Sequence, residues 1–402
     1  MQSSKEAELL SARDTAERLG IKLDTLYAYV SRGLIRSVTV PGGRERRYRA
    51  EDVERFRLSR GERGGPVEAL MPVIGSSICL IEDGRLYYRG RDAVRLAETA
   101  TLEEIADLLW DRELDMNAPT PSLPRKRGRD DRAGGGRAGP RQPLGLIERC
   151  QIRLALLAAD DLAALDLTRA GIVRTGRAIL GALVDAVGDR GRSAAPMHRR
   201  LAALWRLDDT GADLLRRCLV LLADHELNAS TFVARCVAST AATPYAVVSA
   251  ALAALSGRRH GGASARAEAL LHEIAERGDP MTVIATRLAR DEGIPGLGHP
   301  LYPEGDPRAN ALLAAAMTGL PSAQSQIEGA VAAARRLTGQ HPNIDFALAT
   351  VTTTLGLPLG AALSLFVVGR SVGWIAHAIE QYETGVLIRP RARYTGPRPA
   401  QR

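Results

Sequence analysis

Hydrophobic residues recur at helical spacing over most of the chain. Between residues 144 and 389 the pattern is almost continuous helix broken by glycine and proline, as in "LLRRCLVLLADHEL" and "PYAVVSAALAALSG". Aromatic residues make up only 4% of the chain, so the core positions are filled mostly by Ala, Leu and Val. Ala and Leu are strong helix formers. The pattern therefore predicts a mainly α-helical protein, and 402 residues are enough for two or three domains.

The first part of the chain has a different organisation. "SARDTAERLG" predicts a short helix that Ser11 caps and Gly20 ends, and "KLDTLYAYVSRGLI" predicts a second helix. "SVTVPGGRERRYRAEDVERF" then predicts strand, Pro-Gly-Gly turn, strand and helix. This order resembles a MerR-like winged helix-turn-helix domain. We predict such a domain over residues 1–64.

Arginines cluster after the second of these helices and in the predicted wing, where they could neutralise DNA phosphates. The candidate DNA contacts are Arg32, Arg36, Arg44, Arg46 and Arg47, with Arg49 close by. The alternative is a dimerisation or docking module whose arginines are simply solvated.

The rest of the chain, residues 65–402, is predicted to form a second domain. "SSICLIEDGRLYYRG" alternates around an Asp-Gly turn and predicts a hairpin, and "TLEEIADLLW" predicts a helix with a Thr101–Glu104 capping box. Residues 117–143 are rich in Pro, Gly and Arg and have almost nothing apolar to bury, which predicts a disordered insertion.

Charge and cysteine usage narrow the class further. The net charge is +8, which invites a nucleic-acid or anionic ligand. The four cysteines form no CxxC pair, and no zinc spacing, HExxH or P-loop is present, so no metal is expected. The start of the chain lacks a secretory pattern and the apolar runs are shorter than a membrane span. We expect a cytoplasmic protein with no membrane partner.

Candidate chemistry begins at "DHELNASTF", where a histidine lies between two carboxylates. Those nine residues alone fit either a buried, satisfied histidine or part of a catalytic site. Further candidates lie in Gly- and Pro-rich loops or inside apolar helices, and buried arginines require anionic partners. The set is His225, His260, His299, Arg308, Asp345, Arg370 and Arg389. Three arginines could bind a di- or tricarboxylate through forked hydrogen bonds.

Five stretches together resemble the citrate synthase family. They are "DHELNASTF", "HGGA", "PGLGHPLYPEGDPRA", "NIDFAL" and "GRSVGWIAHAIEQ…LIRPRARYTG", and the resemblance covers roughly residues 67–400 apart from the insertion. It implies all-helical large and small domains, with the small domain closing over the large one. It also implies an acyltransferase of the tricarboxylic acid cycle that condenses acetyl-CoA, as co-substrate, with oxaloacetate, without a tightly bound cofactor.

The resemblance also implies a role for each candidate residue. Asp345 would remove the α-proton of the thioester, His260 would polarise the thioester carbonyl, and His299 would polarise the ketone of oxaloacetate. The oxaloacetate ligands would be His225, Arg308, Arg370 and Arg389. Arg389 would come from the second subunit of a homodimer. The segment that approaches CoA would be Ile294, Pro295, Gly296, Leu297 and Gly298.

Two departures keep other functions open. Pro300 follows His299 where many relatives have a basic residue, and the N-terminal domain is absent from housekeeping citrate synthases. One alternative is a 2-methylcitrate synthase that uses propionyl-CoA, because one methylene changes binding by only about 1–3 kcal/mol in an apolar pocket. The other is a metabolite-sensing DNA-binding regulator built on a citrate synthase body.

Overall fold

The chain divides into two compact units, Met1–Gly75 and Ser76–Arg402. The computed structural model describes residues 9–20, 23, 26, 30, 37–39, 46–50, 53, 74–110, 144–188, 193–390 and 396. The predicted domain boundary after residue 64 and the predicted insertion at 117–143 lie outside these residues and stay predictions. So do Arg32, Arg36, Arg44 and the side chain of Arg46.

The first unit contains a short helix and a three-stranded antiparallel sheet. Helix α1 (Ala12–Arg18) begins as the sequence predicts, with a capping box in which the Ser11 hydroxyl accepts the Asp14 amide. The sheet has the order β1–β3–β2. Its strands are β1 (Leu9–Leu10), β2 (Ser37–Thr39) and β3 (Arg46–Arg49). Tyr48 and Leu26 are fully buried in its small core.

The second unit opens with the predicted hairpin. Strands β4 (Cys79–Glu82) and β5 (Arg85–Tyr88) pair antiparallel, and β6 (Arg91–Asp92) extends the sheet. Asp83 and Gly84 form the turn with φ of 49° and 69°. Two successive positive φ values are what an Asp-Gly hairpin turn requires.

Helices make up the remainder of the second unit, as the sequence predicts. They are α2 (Ala93–Thr99), α3 (Leu102–Trp110), α4 (Leu146–Asp160), α5 (Arg169–Val187), α6 (Met197–Trp205), α7 (Asp209–Leu222), α8 (Ala229–Ala238), α9 (Pro244–Leu255), α10 (Gly262–Arg277), α11 (Pro280–Ala289), α12 (Pro307–Gly319), α13 (Gln324–Thr338), α14 (Ile344–Thr354) and α15 (Ala361–Thr384).

These helices form two hydrophobic cores that share α14. Most helices pack into the larger core, while α10, α11 and α13 build the smaller one. Ile344, Ala347 and Leu348 belong to the larger core, whereas Phe346 and Ala349 belong to the smaller. Because these two sets lie on different faces of one helix, α14 is held between both cores.

Helix α15 is the central element of the larger core. Among the described residues it is the one helix long and apolar enough to cross a membrane, and 94% of its apolar window is buried inside the protein. It therefore packs here as a core helix. The cytoplasmic location remains a prediction.

A buried carboxylate from α10 caps the start of α15. Glu268 is 2% exposed, and its oxygens accept the backbone N–H groups of Gly360 at 2.7 Å and Ala362 at 3.3 Å. The first amides of a helix have no intrahelical acceptor, and the helix dipole favours a negative charge there. Glu268 thus ties α10 to the N-terminus of α15.

We expect Glu268→Ala to lower the free energy of unfolding by about 2 kcal/mol, because it leaves the buried N–H of Ala362 and the partly buried N–H of Gly360 without their acceptor. Glu268→Gln keeps one acceptor oxygen and should cost about 1 kcal/mol. The exposed Glu276 on the same helix provides the control, and Glu276→Ala should be nearly neutral. Urea unfolding followed by circular dichroism measures all three. Equal losses for Glu268→Ala and Glu276→Ala would contradict the cap.

Candidate active site

Two histidines and a tyrosine pack together near the start of α12. The rings of His225 and His299 meet edge to face with centroids 5.0 Å apart. The Tyr302 hydroxyl lies 3.0 Å from Nε2 of His225, and its ring lies 5.0 Å from that of His299. His225 comes from the turn after α7, whereas His299 and Tyr302 come from the loop before α12, so the His225–Tyr302 contact joins residues 77 positions apart.

Arg308 lies beside this cluster and is already paired within the protein. It is 2% exposed, and its Nε and Nη2 donate to the Asp306 carboxylate at 3.0 and 2.7 Å. Burial opposes the charge of Arg308, but the attraction and hydrogen bonds of Asp306 outweigh it and raise the pKa of Arg308. Among the described residues, nothing accepts a hydrogen bond from Nη1 of Arg308, so that nitrogen can bind a ligand oxygen.

Arg370 is buried in α15 with less compensation. Its Nε donates to the carbonyl oxygen of Leu222 at 2.8 Å, and its guanidinium lies 4.9 Å from the centroid of the Phe366 ring. Burial lowers the pKa of Arg370, although Asp224 opposes this shift. Neither terminal nitrogen hydrogen-bonds to any residue that the structure describes. A buried guanidinium with two uncommitted nitrogens is suited to bind a carboxylate.

His260 belongs to a separate polar cluster at the start of α8. Its Nε2 is 2.8 Å from the Ser230 hydroxyl, which also accepts the Trp374 indole N–H at 3.1 Å. The Ser230 hydroxyl lies 2.9 Å from Oδ1 of Asn228 as well. His260 also contacts the Phe366 ring edge to face. Since Phe366 lies beside Arg370, this cluster borders the buried Arg370 guanidinium.

Asp345 lies in the first turn of α14, between the two cores. Asn343 caps this helix through the amides of Asp345 and Phe346, and the Ser264 hydroxyl donates to Oδ1 of Asp345. Burial raises the pKa of Asp345, while the Ser264 hydrogen bond and Arg308 lower it less. None of the described residues hydrogen-bonds to Oδ2 of Asp345, and the raised pKa makes this carboxylate a stronger base than an ordinary aspartate.

The same helix start is linked to the arginine cluster. The Ile344 amide donates to Oδ2 of Asp306 at 3.1 Å, which is the carboxylate that holds Arg308. Asp345 therefore directly follows Ile344, the residue that contacts Asp306. Asp306 holds Arg308, which lies beside the cluster of His225 and His299.

The predicted CoA segment packs beside residues 341–343, which directly precede α14. The segment consists of Ile294, Pro295, Gly296, Leu297 and Gly298. The Gly298 amide donates to the His341 carbonyl, and the Asn343 amide donates to the Gly296 carbonyl, both at 2.8 Å. Gly296 has a φ of 84°, and a Cβ there would lie 2.9 Å from Cβ of Phe346. Glycine at 296 therefore allows the loop to approach the helix that carries Asp345.

Arg389 is the one predicted site residue that the structure does not bring to these clusters. It is exposed in the segment after α15 and makes no hydrogen bond or ion pair within the described part of the chain. The described residues also contain no group of His, Cys, Asp and Glu arranged to hold a metal ion.

Four polar residues of the site were not singled out from the sequence. Tyr302 and Asp306 lie inside "GHPLYPEGDPRA", Ser230 inside "DHELNASTF" and Ser264 just after "HGGA". Their proximity to a predicted site residue was the available signal. What they contact depends on distant parts of the chain, so spacing alone did not identify them.

The site histidines are held neutral. Burial, followed by the nearby arginines, lowers the pKa of His225, and burial with Arg370 lowers that of His260 to about 4. Burial and Arg308 also lower the pKa of His299. Nδ1 of His299 accepts the Leu301 amide at 3.2 Å, so its single proton is on Nε2.

The depressed pKa values predict how stability depends on pH. Above the ordinary histidine pKa of about 6.5, both folded and unfolded chains are neutral at these sites and the shifts contribute nothing. As the pH falls below about 6.5, the unfolded chain binds protons that the folded chain refuses, so stability falls. We expect His225→Gln to lose less stability between pH 7 and pH 5 than the wild type. Urea midpoints measure this, and equal losses would contradict a buried neutral His225.

Comparison with known proteins agrees with this architecture. A family model described as "Citrate synthase, C-terminal domain" matches residues 154–391, and a helix-turn-helix domain model matches residues 9–61. Citrate synthase 2 of Bacillus subtilis is 32% identical over 365 residues, which are 80% of this chain and 93% of the relative. A 2-methylcitrate synthase of Mycobacterium tuberculosis is 29% identical over 356 residues, 77% of this chain and 84% of the relative.

A solved structure shows the same fold. It is the ternary complex of carboxymethyl coenzyme A and oxaloacetate with citrate synthase from Thermoplasma acidophilum, with a TM-score of 0.65 and 23% identity. The superposition covers 84% of this chain and 98% of that one. With the family model and the Bacillus relative, it leads to one conclusion: this chain is a member of the citrate synthase family, carrying a helix-turn-helix domain at its N-terminus.

Proposed function

We propose that this protein condenses acetyl-CoA with oxaloacetate and water to give citrate and CoA. The observation that carries the proposal is the pair of buried arginines, Arg308 and Arg370, whose free terminal nitrogens lie in a group with neutral histidines. Such a group suits a small dicarboxylate that also bears a polarisable carbonyl. The family membership supports the same substrate class.

Oxaloacetate would bind between the arginines and the paired histidines. The free nitrogens of Arg370 and Arg308 would hold its carboxylates, and His225 would complete the binding. The Nε2–H of His299 would donate to the ketone oxygen, because Nδ1 of that ring is occupied by the Leu301 amide. This donation makes the ketone carbon more electrophilic.

His260 would donate to the carbonyl oxygen of the thioester. The Ser230 hydroxyl lies within hydrogen-bond distance of both Oδ1 of Asn228 and Nε2 of His260, and this role requires it to donate its one proton to Nε2. The proton of the neutral ring would then be on Nδ1, directed to the substrate. One donor aimed at developing oxygen charge contributes roughly 3–4 kcal/mol to catalysis.

Asp345 would be the base. It would take a proton from the carbon next to the thioester, and that carbon would form the new bond to the ketone carbon of oxaloacetate. The ketone oxygen would become a hydroxyl with the Nε2 proton of His299, and the proton taken up by Asp345 would then restore that ring. Water would hydrolyse the thioester, supplying the hydroxyl of the new carboxylic acid and the thiol proton of the released CoA. The raised pKa of Asp345 supports this role, because a base works best when its pKa approaches the working pH.

The acyl group is the open part of this proposal. Propionyl-CoA would give 2-methylcitrate by the same steps, and its extra methylene changes binding by only about 1–3 kcal/mol in an apolar pocket. Pro300 and the "LYPEG" sequence that follows are the local departures that could affect acyl-CoA handling.

A second copy of the chain is also part of the proposal. Arg389 is exposed and makes no hydrogen bond or ion pair with the described residues of its own subunit. We propose that it completes the oxaloacetate site of the partner in a homodimer.

The test is CoA release by the purified protein with oxaloacetate and either acetyl-CoA or propionyl-CoA. We expect turnover with at least one of them, and the ratio identifies the natural acyl group. Asp345→Asn should reduce turnover by about 100- to 10,000-fold, since general-base catalysis contributes that much, and should leave oxaloacetate binding nearly unchanged. The exposed Asp291 offers the control variant Asp291→Asn. Folded protein that releases no CoA with either substrate would refute the proposal.

DNA binding is the second candidate function, favoured by the match of residues 9–61 to a helix-turn-helix domain. Tyr48 is buried, and since side chains alternate along a strand, Arg47 and Arg49 project from the opposite face of β3. Basic side chains on a wing can neutralise phosphates. The protein would then sense its metabolite while bound to DNA.

A gel shift with the protein's own upstream DNA tests this function. We expect Arg49→Ala to weaken binding and to reduce the salt dependence by about one phosphate contact. Unrelated DNA of equal length is the control. Weak binding that is equal for both sequences would favour a dimerisation role for the N-terminal domain.

A further inference from the structure

A line of buried polar side chains lies behind the oxaloacetate-binding residues and takes no part in the proposed chemistry. It runs from Asp224 through His377 and Arg235 to Glu380, all at most 8% exposed in their side chains. Asp224 directly precedes His225 in the chain. The line therefore ends at the residue next to His225, one of the proposed oxaloacetate ligands.

The hydrogen bonds determine where the proton of His377 lies. Nη1 of Arg235 can only donate, and it lies 3.1 Å from Nδ1 of His377. Nδ1 must therefore accept, which puts the ring proton on Nε2. Nε2 lies 3.3 and 3.4 Å from the two carboxylate oxygens of Asp224, so His377 donates to that carboxylate.

Arg235 is itself held from two sides. Its Nη1 donates to Glu380 at 2.9 Å and its Nε donates to Gln381 at 3.1 Å. The other oxygen of Glu380 accepts both the amide and the hydroxyl of Ser77 at 2.8 Å. These contacts leave Arg235 little freedom, so the His377 ring is fixed in both tautomer and orientation.

The same face of α15 contacts three successive residues of the chain that leads to His225. Arg370 donates to the carbonyl of Leu222, the Gly373 amide donates to the carbonyl of Ala223 at 2.9 Å, and His377 donates to Asp224. Positions 370, 373 and 377 follow the spacing of one helix face. His377 thus lies on the same face of α15 as Arg370, the proposed substrate ligand, and both residues contact the same short segment, 222–224.

The turn that these contacts hold is not a relaxed one. Glu226, the residue after His225, has a φ of 52°, which is uncommon for a residue with a side chain. Such a conformation persists where its surroundings over-determine it. A buried ion-pair network is also weak as a source of stability, because desolvation offsets most of the attraction. Both points favour a role in geometry.

We propose that His377 is a positioning residue for oxaloacetate binding. Held by Arg235 and Glu380, it orients the Asp224 carboxylate and so fixes the turn that presents His225 beside Arg370. This rests on the proposed function, and it assigns His377 no contact with substrate.

Two substitutions of His377 separate geometry from general stability. Glutamine can place an amide N–H near the position of Nε2 and keep the donation to Asp224, whereas asparagine reaches only the position of Nδ1. We expect His377→Asn to weaken oxaloacetate binding about tenfold or more, and His377→Gln to stay within about threefold of wild type. KM for acyl-CoA should change little in either variant. His198→Asn is the control, because His198 is a buried histidine of α6 and lies outside the site.

Calorimetric titration of the full-length protein with oxaloacetate provides the readout. Wild-type protein that does not bind oxaloacetate would refute the proposed function together with this inference. Wild-type binding with no difference between the two His377 variants, or an equal loss in His198→Asn, would overturn the inference alone.

A measurement on the unchanged protein covers the case in which His377→Asn does not fold. In ¹⁵N-histidine NMR, the resonance that disappears in His377→Gln identifies His377. We expect a neutral ring protonated on Nε2, with a shift that moves when oxaloacetate is added. A protonated ring, or a resonance unmoved by saturating oxaloacetate, would contradict the positioning role.

Discussion

The second unit depends on the contact between α15 and the chain at residues 222–224. Gly373 makes this contact possible, since a Cβ there would lie 2.4 Å from both the Ala223 carbonyl oxygen and Oδ1 of Asp224. With no side chain at 373, the helix backbone comes close enough for a direct hydrogen bond. The same approach places Arg370 on one side of the contact and His377 on the other. Binding geometry and core packing are thus set by one interface.

The three buried arginines near that interface are neutralised by their surroundings to different degrees. Arg308 and Arg235 each have a carboxylate partner, Asp306 and Glu380, which offsets the cost of removing the guanidinium from water. Among the described residues, Arg370 has a carbonyl acceptor and a nearby carboxylate but no ion-pair partner, and burial lowers its pKa. Its positive charge is the least compensated of the three. A bound carboxylate would supply the missing partner, which is a physical reason for the site to bind dianions.

The position of Asp345 follows from the two-core architecture. Helix α14 buries one face in each core, and its first turn carries Asp345, the proposed base, between them. A carboxylate at such a boundary can be desolvated without being sealed from substrate, and its pKa rises accordingly. The loop at 294–298 hydrogen-bonds to the residues just before the same helix, so the proposed CoA segment and the proposed base are held by one helix start.

Local signals in the sequence were enough for the local elements. The Asp-Gly turn predicted the hairpin because few residues tolerate two positive φ values, and the Ser11 cap predicted the start of α1 for a similarly local reason. The family resemblance also identified Arg308 and Arg370 and the four candidate residues that the structure gathers around them, His225, His260, His299 and Asp345.

The sequence could not show which groups form hydrogen bonds with those residues. Asp306 occupies two nitrogens of Arg308, Ser264 occupies one oxygen of Asp345, and Ser230 contacts His260, each through contacts that depend on tertiary packing. The hydrogen bonds of His377 with Arg235 and Asp224 join residues more than 140 positions apart, and the hydrophobic periodicity of the sequence does not predict such contacts. By itself the sequence determined the helices, the hairpin and the site residue types, because these depend on neighbouring residues. Tertiary structure alone decided protonation, partner and orientation, because these depend on which distant groups share a buried space.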